Sequence, residues 1–423
     1  MLSLFVAAPV VASLIVLALS PRVARIVTLL TTLLLVAFGT VVAFSGSPDS
    51  NGWRWVEKVE WFPALGISWH IGVDGLAGLL VWMTALLACV TTAAPVAQRH
   101  FSESLHWSML LMATGLTIGA FVALDLMLFY IFFEACLIPV FIMMGTFGRG
   151  ERTRAALVFL VYTLVASLVL LAGLIALRIY SGSFSWDVVR VALNNGDIPS
   201  VAVGVAFAGF LLAFAVKSPV FPFHSWLPDA YRCAPPATAI LLAGAMAKLG
   251  TFGFTRFVLP LFPDTSAELA PLMVWLGVAG IVYGAMNAIA QTDLRSVVAF
   301  SSVSHLGYVI AGTFSGSDVS TDGAALQMVN HGVTVGALFL LVGIIESRWG
   351  TSQFDRLGGL WQSAPVLGSC LLLVALSAIA LPLTNGFVGE LLILIGLFGN
   401  FPGAAVVAVS GALLSAIYML LAL

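Results

Sequence analysis

What most constrains this chain is a succession of apolar runs, each long enough to cross a lipid bilayer. A span needs about 20 mostly apolar residues. Thirteen such runs follow one another, near 2–20, 23–44, 75–97, 104–124, 126–148, 154–179, 199–217, 236–259, 270–291, 296–314, 324–346, 365–399 (interrupted after 382) and 403–423. Lipid leaves backbone polar groups unsatisfied unless the segment bonds to itself, and runs of this length do so as helices. The fold class predicted is an all-α polytopic membrane protein. Composition agrees: 61% of the 423 residues are hydrophobic and 9% charged, against about a quarter charged in a soluble domain.

Met1 to Ser20 lacks a basic leading region, which predicts a retained first helix rather than a cleaved signal. The thirteenth run ends on Leu420-Leu421-Ala422-Leu423 with no polar flank, which predicts a truncated C-terminus. Loops after odd-numbered spans hold Arg22, Arg25, Arg99, Arg149, Arg152, Arg154, Arg232, Arg295, Arg348 and Arg356. Those after even-numbered spans hold Arg54, Lys58, Arg178, Arg190 and Arg256. Basic loops stay cytoplasmic, so the odd loops are assigned inside and the N-terminus outside. Residues 52–72 alternate aromatic and polar side chains, as a small outer hairpin does. Residues 182–198 read as a short amphipathic helix in the interface.

Proline interrupts two spans, in AFAVKSPVFPF (213–223) and ALPLTNGFVGELLIL (380–394). A proline in a helix removes a donor and frees a carbonyl, tolerated at membrane depth only inside protein or along a cavity. The breaks fall in spans seven and twelve, five apart. Matched interruptions point to an inverted repeat, here spans 4–8 against spans 9–13. Three regions follow: 1–103 with three helices and the outer hairpin, 104–259 as the first repeat, and 260–423 as the second.

A charge at a helix centre costs about 2.5–3.5 kcal/mol on insertion scales. Four stand out: Glu134, Lys217 just before the first break, Lys248, and Glu390 after the second. Unpaired, they would together cost on the order of 10 kcal/mol. A structural Glu134–Lys217 pair leaves Lys248 and Glu390 unexplained, and buried pairs are often no better for stability than apolar ones. Burial favours a lysine's neutral form and a nearby carboxylate its charged form, so moving the carboxylate switches the lysine between releasing and holding a proton.

His305 and His331 also lie within spans, beside Ser301, Ser302, Ser304 and Asn330. Packing and a proton relay both fit them, histidine being the side chain that titrates near neutrality. His224, past the first break, is placed at a cavity mouth; His70, His100 and His106 receive no role. Asp74, Asp125, Asp229 and Asp293 read as helix caps and interfacial residues. Cys89, Cys136, Cys233 and Cys370 have neither metal-ligand nor CxxC spacing and read as small apolar residues. The sequence has no glycine-rich phosphate loop, nucleophile elbow or metal cluster.

Five motifs carry a resemblance: FFEACLIPVF (132–141), AVKSPVFPFHSWLPDA (215–230), AMAKLGTFGFTRF (245–257), QTDLRSVVAFSSVSHLG (291–307) and NGFVGELLILIG (385–396). Together they resemble the antiporter-like membrane subunits of respiratory complex I, most closely the M type of bacterial NADH:quinone oxidoreductase, over roughly residues 70–420. The resemblance implies fourteen helices, two inverted five-helix repeats with broken helices 7 and 12, and proton translocation driven by quinone reduction elsewhere in the complex. It equates Glu134 and Lys217 with the family's glutamate–lysine pair, Lys248 with its central lysine, and His305 and His331 with polar residues joining the halves. Glu390 falls where other antiporter-like subunits usually carry lysine, and glutamate there typifies the M type. One departure is Tyr231-Arg232-Cys233-Ala234-Pro235, where the family often reads His-x-x-Ala-Pro.

The resemblance further implies no cofactor in this chain. NADH, FMN, iron–sulfur clusters and quinone belong to partner subunits, other antiporter-like subunits are its neighbours in a bacterial inner membrane, and no nucleic acid is involved. The alternatives are a sodium/proton antiporter or membrane-hydrogenase subunit of the same superfamily, or a non-conducting scaffold.

Overall fold

The structure, a computed structural model, describes residues 1–50, 52–94 and 103–423. Arg99, His100 and the expected end of the third span at Ala97 lie outside the described residues. Helices α1 (Leu2–Leu17) and α2 (Pro21–Phe44) precede a two-stranded antiparallel hairpin, β1 (Arg54–Phe62) and β2 (Ile67–Val73), and α3 (Gly75–Ala93). Span four is α4 (Ser104–Val122). Span five is split into α5 (Leu126–Ala135) and α6 (Leu137–Phe147), because Pro139 has no N–H for the Ala135 carbonyl. Then come α7 (Arg152–Ser181), the short α8 (Trp186–Asn194) and α9 (Ser200–Lys217).

Beyond the first break lie α10 (Leu227–Cys233) and span eight, which comprises α11 (Pro236–Leu241), α12 (Lys248–Gly253) and α13 (Leu259–Leu261) linked by π turns at Leu242–Met246 and Phe254–Val258. The second half holds α14 (Pro263–Ile289), α15 (Leu294–Thr313), α16 (Asp318–Trp349), the one-turn α17 (Leu360–Ser363), α18 (Pro365–Ala378), α19 (Asn385–Asn400) and α20 (Pro402–Ala422). Among the described residues, eleven of these spans are long and apolar enough to cross a membrane, and α1, α18 and α19 are shorter apolar helices.

Both breaks are satisfied from inside the protein. After α9, Pro219 has no N–H, Val220 N–H turns back to Ala215 O at 2.9 Å, and the Trp226 indole donates to Val216 O at 2.9 Å. In span twelve the chain leaves the helix at Ile379–Thr384, and Asn385 Nδ2 donates to Asn330 O and Thr334 Oγ1 of α16, both at 3.4 Å. Packing around the two breaks is alike: α9 lies along α7 and contacts α12, as α19 lies along α16 and contacts α20.

An 18-residue stretch within 236–261 is wholly buried and α15 nearly so, whereas most residues of α2 and α7 keep surface outside the protein. Lys248 and His305 therefore sit on the two innermost spans. The hairpin is tied down by Asp125, which caps α5 and accepts from Ser68 N and Oγ at 3.1 and 2.9 Å. Asp293 likewise caps α15, Asp74 caps α3, and Asp229 pairs with exposed Arg232. These aspartates occupy the cap and surface positions expected of them.

Candidate functional site: a buried polar chain

Lys248 follows the first π turn of span eight. There Ala247 N–H reaches Leu242 O (3.0 Å) instead of Ala243 O, and the Ala243 carbonyl accepts from Lys248 Nζ at 2.6 Å. The same Nζ lies 2.7 Å from Nδ1 of His331 on α16. The His331 ring stands 5.8 Å, centroid to centroid, from the His305 ring on α15. His305 Nδ1 lies 2.8 Å from Glu390 Oε1 on α19, and His305 Nε2 lies 3.2 Å from Tyr418 Oη on α20. All five side chains are buried, Lys248 with 0% exposure. One polar chain thus runs from span eight to span thirteen.

A cavity of about 10 Å³, room for about one water molecule, opens beside the two histidines and is lined by Gln327, Asn330, Thr334 and Ser377. Two neighbours of the chain escape sequence reasoning. Gln327 donates Nε2 to Glu390 Oε1 at 2.9 Å; its signal is its place one turn before His331, on the same helix face. Tyr418 reads in sequence as one aromatic among apolar packing residues, with nothing to single it out.

Glu134 and Lys217 stand apart from this chain. Lys217 Nζ lies over the Phe133 ring, 4.7 Å from its centroid, and no ion pair within 4 Å joins it to Glu134. The Glu134 carboxylate lies near Lys217, Tyr130 and Ser167. The helix break at Cys136 comes two residues after Glu134, and Lys217 ends α9, so each sits at an interrupted helix. His224 is buried between Phe221 (5.5 Å) and Tyr283 (4.8 Å) instead of opening a cavity.

Two arginines assigned to loops belong elsewhere. Arg256 is buried in the second π turn, 2.7 Å from Asp74 and 4.4 Å from the Trp53 ring centroid. Arg295 is buried at the start of α15, where Nε and Nη2 hold the two oxygens of Glu346 at 2.7 and 2.8 Å and Nη1 donates to Ala234 O at 2.7 Å. Arg149 joins the same carboxylate at 2.8 Å. Charge counting places such residues outside the protein because it cannot see a partner arriving from another span.

The fold and this polar chain define a polytopic, antiporter-like membrane subunit. Residues 123–415 match the family described as NADH:quinone oxidoreductase/Mrp antiporter, TM, and the chain belongs to that family. It is 38% identical over 374 residues to NADH-quinone oxidoreductase subunit M of Rickettsia prowazekii, covering 88% of this chain and 75% of the relative. Its fold superposes on a chain of respiratory complex I from Thermus thermophilus with a TM-score of 0.91 at 33% identity, covering 100% of this chain and 88% of that one. A chain of the Mrp complex from Dietzia sp. DQ12-45-1b follows at 0.89 and 27% identity, covering 99% and 78%. The resemblance drawn from the five motifs holds, down to the M type that Glu390 indicates.

Proposed function

We propose that this chain carries protons across a bacterial inner membrane within NADH:quinone oxidoreductase, with its N-terminus outside and other antiporter-like subunits beside it. Spans 4–8 and 9–13 form the two inverted repeats: an offset of five makes corresponding spans run in opposite directions, and the similar packing of the two breaks supports the pairing. Protons are taken up from the cytoplasmic side, pass Lys217 and Lys248, cross to His331 and His305, and leave near Glu390. Glu134 sets how tightly Lys217 holds its proton. The driving energy comes from quinone reduction in partner subunits, which also hold NADH, FMN and the iron–sulfur clusters.

The observation that carries this reading is the buried succession of titratable groups: Lys248 in contact with His331, His305 in contact with Glu390, and the two histidine rings 5.8 Å apart, centroid to centroid. Each member can hold or release a proton, and none faces lipid. A proton moved against 100 mV costs about 2.3 kcal/mol, which a change of about two pH units in proton affinity supplies.

The test is Lys248→Ala and Glu390→Gln in the assembled complex, with quinone reductase rate and proton pumping measured in inverted membrane vesicles. Pumping is expected to fall by about tenfold or more, the scale of a lost acid–base group. Retained pumping and retained redox activity in both variants would sink the relay and leave a scaffold.

A further inference from the structure

Both hydrogen bonds that reach the Glu390 carboxylate converge on one oxygen. His305 Nδ1 approaches Oε1 at 2.8 Å and Gln327 Nε2 donates to the same atom at 2.9 Å. A carboxylate oxygen has two lone pairs; Gln327 Nε2 takes one, and His305 takes the other in the tautomer whose Nδ1 carries the proton. The Gln327 amide is oriented by its other end, where Asn330 Nδ2 donates to Oε1 at 3.5 Å. Its position is fixed by Gly389, whose Cα faces the amide so closely that a Cβ there would stand 2.6 Å from Gln327 Oε1. An amide so placed is fully buried, aimed, and able to do one thing a carboxylate responds to: donate.

We propose that Gln327 is a positioning residue that sets the proton affinity of Glu390 and holds Oε1 in line with His305 Nδ1. The inference rests on the relay reading above and names how its last step is tuned. A fixed N–H donor stabilises an ionised carboxylate over the protonated acid, and Gln327 places one such donor on Oε1. The same donor does not titrate, so the release point is set by geometry rather than by a second moving charge. The titratable groups facing Glu390 are His305 and Tyr308 on α15, His331 on α16 with Lys248 behind it, and Tyr418 on α20. On α18 the titratable side chain is Cys370, which is exposed. Gln327 is the uncharged donor among them.

The experiment uses the whole complex in inverted vesicles, with pumping and quinone reduction followed across pH on both sides of neutrality. Gln327→Met keeps the length of the side chain and removes the donor; the acidic limb of pumping is expected to move up by about one pH unit, tenfold in proton affinity, as losing a hydrogen bond to a charged group does. Gln327→Glu keeps the shape; two carboxylates then share a proton, and the limb moves in the same direction by more. A pH profile unmoved in both variants, or moved down, overturns the proposal and leaves Gln327 as packing. Should Gln327→Met fail to assemble, the Glu variant still decides. Glu390→Gln separates the two levels: if it pumps, the relay itself fails; if it does not pump and the Gln327 profiles match wild type, this inference alone fails.

Discussion

Lys248 on span eight and His331 on span eleven touch through Nζ and Nδ1 at 2.7 Å, across the line where the two proposed repeats meet. An asparagine at 331 carries a polar atom roughly where Nδ1 stands, so it still accepts from Lys248, and it has no second ring nitrogen to pass a proton on. His331→Asn is therefore expected to leave the complex assembled and quinone-reactive while pumping drops by about tenfold or more. Dye-reported acidification of inverted vesicles, beside the redox rate, measures both. Full pumping would show that the histidine packs without relaying.

Close helix contact sets a second expectation. A Cβ on Gly284 of α14 would stand 2.6 Å from Ser304 N and 2.9 Å from Phe300 O, both backbone atoms of α15 that cannot yield. Gly284→Ala is expected to destabilise by about 1–3 kcal/mol, the cost of overpacking. Gly204 on α9 has nothing within 4 Å, so Gly204→Ala gains helix propensity, about 1 kcal/mol at most. Thermal midpoints of the detergent-solubilised complex should move down for the first and not for the second.

The spans and their breaks were legible because both are written in residue type: apolar runs, and proline at 219 and 382. Lys248, His305, His331 and Glu390 were legible as charges and histidines in the wrong solvent. Their connectivity was not, because it depends on the π turn before Lys248, and one extra residue in an apolar window leaves no trace in sequence. Arg256 and Arg295 read as loop charges for a related reason. Asp74 and Glu346, which neutralise them, come from spans far along the chain, and no local pattern announces that meeting. Glu134 and Lys217, which the resemblance equates with a glutamate–lysine pair, make no ion pair within 4 Å; Lys217 Nζ lies over the Phe133 ring, a placement no local pattern shows.

Glu346 offers a graded test of burial. Arg295 is almost fully buried and spends Nε and Nη2 on this carboxylate, so Glu346→Ala strands a buried guanidinium and is expected to cost about 3–5 kcal/mol. Arg149 touches the same carboxylate with a side chain 43% exposed, and Arg149→Ala should cost about 0–1 kcal/mol. The ratio of the two thermal shifts checks the assignment. Equal shifts would mean that Arg149, not burial, holds the cluster.

The β1–β2 hairpin should loosen in acid. His70 on β2 lies outside the membrane spans, and burial holds its imidazole below the usual histidine range, helped by Lys58 on the paired strand position. A depressed value means that the folded hairpin binds fewer protons than the unfolded one. Its stability is therefore whole above the unfolded value of 6.5 and falls as pH drops below it. Because the His70 carbonyl accepts from Leu124 N–H at 2.8 Å, protonation should also release the loop before α5. Hydrogen exchange of the β1–β2 amides is expected to quicken as pH is lowered from neutrality toward 5, after correction for intrinsic rates, at about the slope of one proton. Replacing His70 by Phe should flatten that dependence, and an unchanged slope in the variant would move the cause to another group.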